Sequence, residues 1–336
     1  MADPIRHGGN LREAARRYGI APGDWLDLST GINPRAYPVP PLPMDAWRRL
    51  PEDADGLAEL AARHYGAPGA LPVAGSQAAI RALPGLLRRG VAAIAPLTYG
   101  EYAPAFERAG HRILTLDIAS ADLKDDIDHV IVANPNNPTT ELVARDLLLR
   151  WHEQLAKRGG TLIVDEAFAD AYGDDAAMSM ASESWREGLV VLRSVGKFYG
   201  LAGIRAGFVL AAAPLRDALS EALGAWTVSG PARHAVQAAF IDLSWQAETR
   251  AMLARDSARL AALIRNQGFD PRATPLFVWF ETGRAAALQN ALATRGIWTR
   301  LFEHGALPSL RIGLTGSEEE WARFEQAFVA AVNAIY

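Results

Sequence analysis

The sequence predicts an α/β protein, with a mostly parallel sheet covered by helices on both faces and a smaller α+β domain after it. Short apolar runs alternate with helical stretches through the first two thirds of the chain, the pattern left by parallel strands joined through crossover helices. The runs Val91–Ala95, Val130–Val132, Thr161–Val164 and Leu189–Leu192 are continuous rather than alternating, as strands buried on both faces require. The 336 residues, 50% hydrophobic and 21% charged, suffice for a sizeable core and for two domains.

In order, residues 10–18 (NLREAARRY) read as a short amphipathic helix with Asn10 as its cap. Trp25 to Leu28 is a brief strand. STGINPRAYPVPPLP then carries too much proline for regular structure and reads as an extended loop. A helix over 54–65 stops at Gly66. Leu71–Val73 leads into Gly75-Ser76 and a helix, the Val91 run into Pro96 and a helix ending near Gly110, and Ile113–Leu116 forms a strand. Residues 145–158 form a helix before the Thr161 run. Residues 213–224 are helical, and 230–267 read as one helix long enough to join two domains. Strands near 275–280, 297–299 and 309–313 then alternate with helices at 285–294 and 317–334. This places a large domain at 36–245 and a small one built from 1–35 and 246–336.

A formal charge of −4 with scattered arginines argues against a nucleic-acid partner. Cysteine is absent, so there is no disulfide framework, no thiolate nucleophile and no Cys-based metal site. The first ten residues lack a signal-peptide apolar core, no run is long enough to span a membrane, and the histidines lack metal-ligand spacing. A soluble cytoplasmic protein without a metal is the expectation.

Lysine is scarce, three residues against 31 arginines, so its placement is informative. Lys124 lies in an acidic turn and Lys157 closes a helix before two glycines, both solvated settings. Lys197 follows the Leu189–Leu192 strand, at the sheet edge where open α/β folds keep their ligands. A lysine there can clamp phosphate, pair with a buried carboxylate or form a Schiff base with a carbonyl cofactor. Ser194 precedes it by one turn, and Arg205 follows beyond a Gly/Ala-rich stretch that lets backbone approach a ligand.

Other strand ends carry polar residues. NPNNPT at 134–139 is a turn stiffened by prolines that fixes its Asn side chains. Asp165 ends the Thr161 run, where a carboxylate is costly without a cation or donor. By itself it could also cap a helix or bind a metal. Gly75-Ser76-Gln77 opens a helix with free N–H groups, a possible anion site, although neither a P-loop nor a GxGxxG fingerprint is present. Tyr99 is either core or a ring laid against an aromatic ligand.

As an ordered set, Gly75-Ser76, Tyr99, NPNNPT, DEAF at 165–168, SVGK at 194–197 and Arg205 resemble the fold-type I aminotransferases that use pyridoxal 5′-phosphate (PLP), along their histidinol-phosphate aminotransferase branch. The resemblance covers nearly the whole chain. It implies that Lys197 holds PLP covalently and that Asp165 pairs with the protonated pyridine nitrogen. It further implies that Asn137 donates to the ring 3-oxygen, that Tyr99 stacks on the ring, and that Gly75, Ser76, Gln77, Ser194 and Arg205 hold the phosphate. His7-Gly8-Gly9-Asn10 and Gly31-Ile32-Asn33-Pro34 resemble, more narrowly, threonine-phosphate decarboxylases of cobalamin biosynthesis. That likeness implies a substrate site containing His7, Gly8, Asn33, Asn137, Arg300 and Arg311, with the arginines on the substrate's anionic groups. Phe168 stands where many aminotransferases have tyrosine, and Leu50 where the neighbouring subunit of the implied homodimer usually offers a tyrosine to the cofactor phosphate. The activity implied is decarboxylation of O-phospho-L-threonine. The alternatives are transamination of histidinol phosphate or another anionic amino acid, and a binding role in attaching aminopropanol to the corrin side chain.

Overall fold

A computed structural model describes residues 7–173 and 178–335 of the chain; the first six residues of the predicted small domain lie outside these. The described strands are β1 (Leu26–Asp27), β2 (Leu71–Val73), β3 (Val91–Ile94), β4 (Arg112–Thr115), β5 (His129–Ala133), β6 (Thr161–Asp165), β7 (Leu189–Ser194), β8 (Gly207–Ala211), β9 (Arg272–Thr274), β10 (Phe277–Glu281), β11 (Ile297–Trp298), β12 (Arg300–Phe302) and β13 (Ser309–Gly313). The chain divides into two compact units. One comprises Ala36–Asn137 and Glu141–Glu248; the other runs to Arg35 and resumes at Thr249, with Pro138–Thr140 added.

The larger unit is built on a seven-stranded sheet of order β2-β8-β7-β6-β5-β3-β4. β3 to β7 pair in parallel, and β8 runs antiparallel to both neighbours. β5, β6 and β7 are buried at every position, and each carries a continuous apolar run, Val130–Ala133, Leu162–Val164 and Leu189–Leu192, as strands covered on both faces require. The core on one face joins Ile80 and Leu83 of the helix Ser76–Leu86, Tyr102 and Phe106 of the helix Tyr102–Arg108, and Ile131, Ile163 and Leu192 of the sheet. Burying side chains of this size contributes about 1.5–3 kcal/mol each. Register lines up the strand ends: Ala133 pairs with Asp165, Asp165 with Leu192, Ser194 with Gly207, and Gly207 with Val73. The residues just beyond these points therefore share one edge of the sheet.

Three features depart from the sequence expectations. β8 lies in a stretch whose small residues continue the preceding turn, and GFVLA is too short for periodicity to separate strand from coil. The expected helix over 230–267 is two helices, Gly230–Ile241 and Leu243–Asn266. Asp242 breaks it: its backbone leaves helical angles (φ −85°, ψ 75°), and its carboxylate accepts from Trp245 N at 3.1 Å. The strand expected near 297–299 is two, β11 and β12.

The smaller unit holds the antiparallel sheet β12-β13-β10-β9 and the parallel pair β1-β11. The helix Leu11–Tyr18 begins at Asn10, whose side chain accepts from Glu13 N, and it ends at Gly19 with φ 68°.

A buried ionic cluster fixes the loop after β6. Arg193, fully buried in β7, bonds Glu166 and Asp170 at 2.8 Å each and donates to Ser179 Oγ at 2.8 Å. Met180 N and Ser179 Oγ both donate to Glu166 at 2.7 Å. Arg193 lies between these two buried carboxylates, so removing it leaves both without its charge in a medium of low polarity. Arg193→Met should therefore lower unfolding stability by about 3–5 kcal/mol in urea melts. A loss below about 1 kcal/mol would contradict this account of the cluster.

Candidate active site

The shared sheet edge of the larger unit collects most of the residues singled out from the sequence. Asp165, the last residue of β6, is buried. Its Oδ2 accepts from the Tyr102 hydroxyl at 2.7 Å and its Oδ1 from Ala167 N at 3.0 Å. Burial pushes its carboxyl above the ordinary value, against the pull of these two donors and of the nearby Lys197 charge. Tyr102 is itself fully buried, and burial together with Asp165 raises its phenol well above the usual range, so it is a neutral donor. Sequence reasoning did not single out Tyr102. The available signal was its position three residues after Tyr99, one turn along at the start of a helix.

Lys197 follows β7 and is half-buried, with Nζ 5.5 Å from the centre of the Phe168 ring. Lys124 and Lys157 are exposed. Ser194, at the end of β7, is buried.

Gly75 has φ 75°, a conformation glycine adopts without strain, and opens the helix Ser76–Leu86, which no described side chain caps. A Cβ on Gly75 would stand 2.6 Å from Arg205 Nη2, so the guanidinium lies directly over this backbone. A Cβ on Gly207 would meet Ser76 N at 2.8 Å. Arg205 holds a left-handed backbone (φ 54°, ψ 58°) and donates to Ala202 O at 3.0 Å. The result is a helix start with backbone donors, a serine and an arginine within one small-residue cradle.

Gln77 uses its side chain elsewhere. It accepts from the Tyr99 hydroxyl at 2.9 Å and donates to Glu101 at 2.8 Å. This fixes the Tyr99 ring, whose phenol burial and the Glu101 and Asp165 charges push up to about 12. What Gln77 offers at the helix start is its backbone N–H.

The NPNNPT turn separates its asparagines by task. Asn134, ahead of a cis peptide to Pro135, exchanges hydrogen bonds with the Val143 backbone at 2.9 and 3.2 Å. The Asn136 side chain accepts from Thr98 Oγ1 at 2.7 Å and donates to Leu97 O at 2.8 Å. Both are held by the scaffold, and Asn137 is half-buried beyond them.

In the smaller unit, Arg300 of β12 and Arg311 of β13 are direct cross-strand partners. Like charges placed opposite each other destabilise a strand pair, so this position favours an anionic ligand. Arg311 is buried and donates to Ser29 O at 2.6 Å. Burial and Arg300 push it down to about 9, while Asp27 pulls it up, so it is charged at neutral pH. Asn33 is buried in the same unit and accepts from Arg35 N at 3.0 Å, and His7 is exposed.

The family model for aminotransferase class I and II matches residues 51–328. The chain belongs to the class I and II aminotransferase family. Within this aminotransferase family it is 48% identical to the threonine-phosphate decarboxylase of Pseudomonas aeruginosa over 97% of each chain, and 43% identical to that of a Sinorhizobium species over 94% of each. Its fold matches the histidinol-phosphate aminotransferase of Sinorhizobium meliloti in complex with pyridoxal-5′-phosphate, at TM-score 0.81 and 19% identity, over 100% of this chain and 96% of that one. The aminotransferase fold thus accounts for the parallel sheet with its antiparallel β8. No described helix is long and apolar enough to cross a membrane.

The raised carboxyl of Asp165 has a consequence for stability. A folded value above the unfolded one of about 3.9 gives a contribution that is full below that value and lost as pH rises through the folded value. At neutral pH the ionised carboxylate therefore destabilises the ligand-free protein. Asp165→Asn should melt at a higher temperature than the parent near pH 7 without cofactor, with the difference fading toward about pH 4. Equal melting temperatures at pH 7 would show that the two donors already compensate the charge.

Proposed function

We propose that this protein is a PLP-dependent threonine-phosphate decarboxylase, forming (R)-1-aminopropan-2-yl phosphate for cobalamin biosynthesis in the cytoplasm. The observation that carries this reading is the facing pair Arg300 and Arg311, in a chain whose near-full-length relatives bear that name. Two guanidinium groups set opposite each other call for a ligand with two anionic groups, and O-phospho-L-threonine carries a carboxylate and a phosphate.

The donor set of the larger unit fits PLP. The Gly75 cradle, which a Cβ would fill, supplies Ser76 and the backbone N–H groups of Ser76 and Gln77 for a phosphate, with Ser194 and Arg205 beside them. Asp165 supplies a carboxylate whose burial outweighs its donors and the Lys197 charge, suited to a protonated ring nitrogen. Tyr99 would face the ring, Asn137 would donate to its 3-oxygen and Lys197 would hold its aldehyde carbon. Phe168, in the tyrosine position of many aminotransferases, gives the Lys197 amine an apolar neighbour instead of a hydroxyl.

When bound, PLP supplies an electron sink for the pair released as a bond at the substrate's Cα breaks. The chain's own residues decide what happens around it. Asp165, as an anion, would hold a proton on the ring nitrogen. Arg300 and Arg311 bind the carboxylate and the phosphate, with Asn33, His7 and Gly8 on the same substrate, and so fix its rotation about Cα. The carboxylate would leave as CO₂, and Lys197, as its ammonium, would give up the proton that replaces it at Cα and be left as the neutral amine. Incubation with phosphothreonine should release CO₂ and an equal amount of aminopropyl phosphate without keto acid, and borohydride reduction should place one pyridoxyl group on Lys197. Keto-acid formation without CO₂ would make the protein a transaminase; a label elsewhere would overturn the cofactor assignment.

A homodimer completes the proposal. Met44, Trp47 and Leu50 are 65%, 64% and 64% exposed within seven residues, an apolar patch that a second copy would cover. Leu50 cannot donate a hydroxyl to the cofactor phosphate of a neighbouring subunit, a loss of about 1 kcal/mol in binding. Trp47→Glu should shift the mass measured by light scattering from dimer to monomer. An unchanged dimer would exclude this patch as the interface.

A further inference from the structure

Arg311 is held by a three-residue segment that neither the family motifs nor the proposed chemistry assigns. Ser29, fully buried, accepts the Arg311 guanidinium on its carbonyl oxygen at 2.6 Å. That carbonyl has little freedom. Leu28 N donates to Trp298 O at 2.8 Å and Leu28 O accepts from Gly313 N at 2.8 Å, which anchors the preceding residue to both flanking strands. Asp27 Oδ1 accepts from Ser29 N at 2.9 Å and from Ser29 Oγ at 2.6 Å, closing a local turn.

The serine hydroxyl has one proton, and Asp27 takes it. Its lone pairs then face the other way and accept from Gly9 N at 2.7 Å. Gly8 packs on the same residue: a Cβ there would stand 2.4 Å from Ser29 O, the atom Arg311 uses, and 3.2 Å from Ser29 Oγ. Ser29 therefore meets the N-terminal segment through its Oγ and the arginine through its carbonyl oxygen, both atoms of one buried residue.

We propose that Asp27 and Ser29 are positioning residues for Arg311, and that seating of the segment His7–Asn10 on Ser29 is coupled to the grip of Arg311 on an anionic group of the substrate. Asp27 serves in two ways. It orients Ser29, and its negative charge opposes the Arg300 charge beside Arg311. The contacts run in series from Gly9 N to Ser29 Oγ, through Ser29 to its carbonyl, and on to the guanidinium. Loosening either end should loosen the other, since coupling between two sites is reciprocal. The inference rests on the proposed role of Arg311 only for what the arginine holds.

The test uses the full-length enzyme loaded with PLP. Ser29→Ala keeps the carbonyl that Arg311 needs but removes the Gly9 acceptor and one Asp27 bond. It should raise KM for O-phospho-L-threonine about tenfold with kcat within about twofold, the pattern of lost uniform binding. A fall in kcat and melting temperature with KM unchanged would mean that Ser29 is only scaffold, and would overturn the proposal. The second measurement needs no substrate. In ligand-free protein, Arg311→Lys should speed hydrogen exchange at the Gly9 amide about tenfold, because its acceptor is no longer held from the far side. Unchanged Gly9 exchange would also overturn the coupling. If Gly9 exchange responds but phosphothreonine is neither bound nor turned over, the coupling stands and the substrate assignment falls.

Discussion

A carboxylate buried at the end of a central parallel strand is the constraint around which the larger unit is arranged. Asp165 has two neutral donors, Tyr102 and Ala167 N, and they do not cancel the cost of burial, so its carboxyl is pushed upward. A site in that condition binds a cation or a protonated ring more tightly than water does. The neighbouring residues keep it so. Arg193, fully buried in β7, bonds Glu166, Asp170 and Ser179. That cluster pins the loop after Asp165 without neutralising Asp165 itself.

The smaller unit shows the same logic with opposite sign. Arg300 and Arg311 face each other across β12 and β13, an arrangement that costs stability unless an anion intervenes. Asp27 offsets part of the cost for Arg311, and the Ser29 carbonyl takes one of its N–H groups. Both units therefore store unfavourable electrostatics where a ligand of complementary charge would relieve it. The two differ in how the charge is held. Asp165 sits on the last residue of a buried strand, whereas Arg311 depends on a short segment that the N-terminal residues also contact.

Much of this was legible before any coordinates. The runs Val130–Val132, Thr161–Val164 and Leu189–Leu192 are recognisable because strands buried on both faces need near-continuous apolar sequence. The polar residue after such a run then lies at the sheet edge by topology alone. Asn10 and Gly19 mark the first helix by local capping chemistry. The break at Asp242 depends on a single residue whose carboxylate accepts from Trp245 N, inside a stretch otherwise rich in helix formers. β8 escaped because five apolar residues after a Gly/Ala-rich turn have no period to read.

Sequence by itself determined the fold class, the family motifs and the residue types at the strand ends, since these follow from local pattern and from order along the chain. Tertiary structure alone decided the partnerships. Tyr102 reaches Asp165 across 63 positions, Arg193 meets Asp170 across 23, and Ser29 meets Arg311 across 282. Gln77 turns its side chain to Tyr99 and Glu101, and the NPNNPT turn commits Asn134 to the Val143 backbone and Asn136 to Leu97 O and Thr98. Hydrogen bonds and charge pairing act over a few ångströms of space, whatever the separation in sequence. Which polar groups meet is therefore fixed only when the strands and loops have packed.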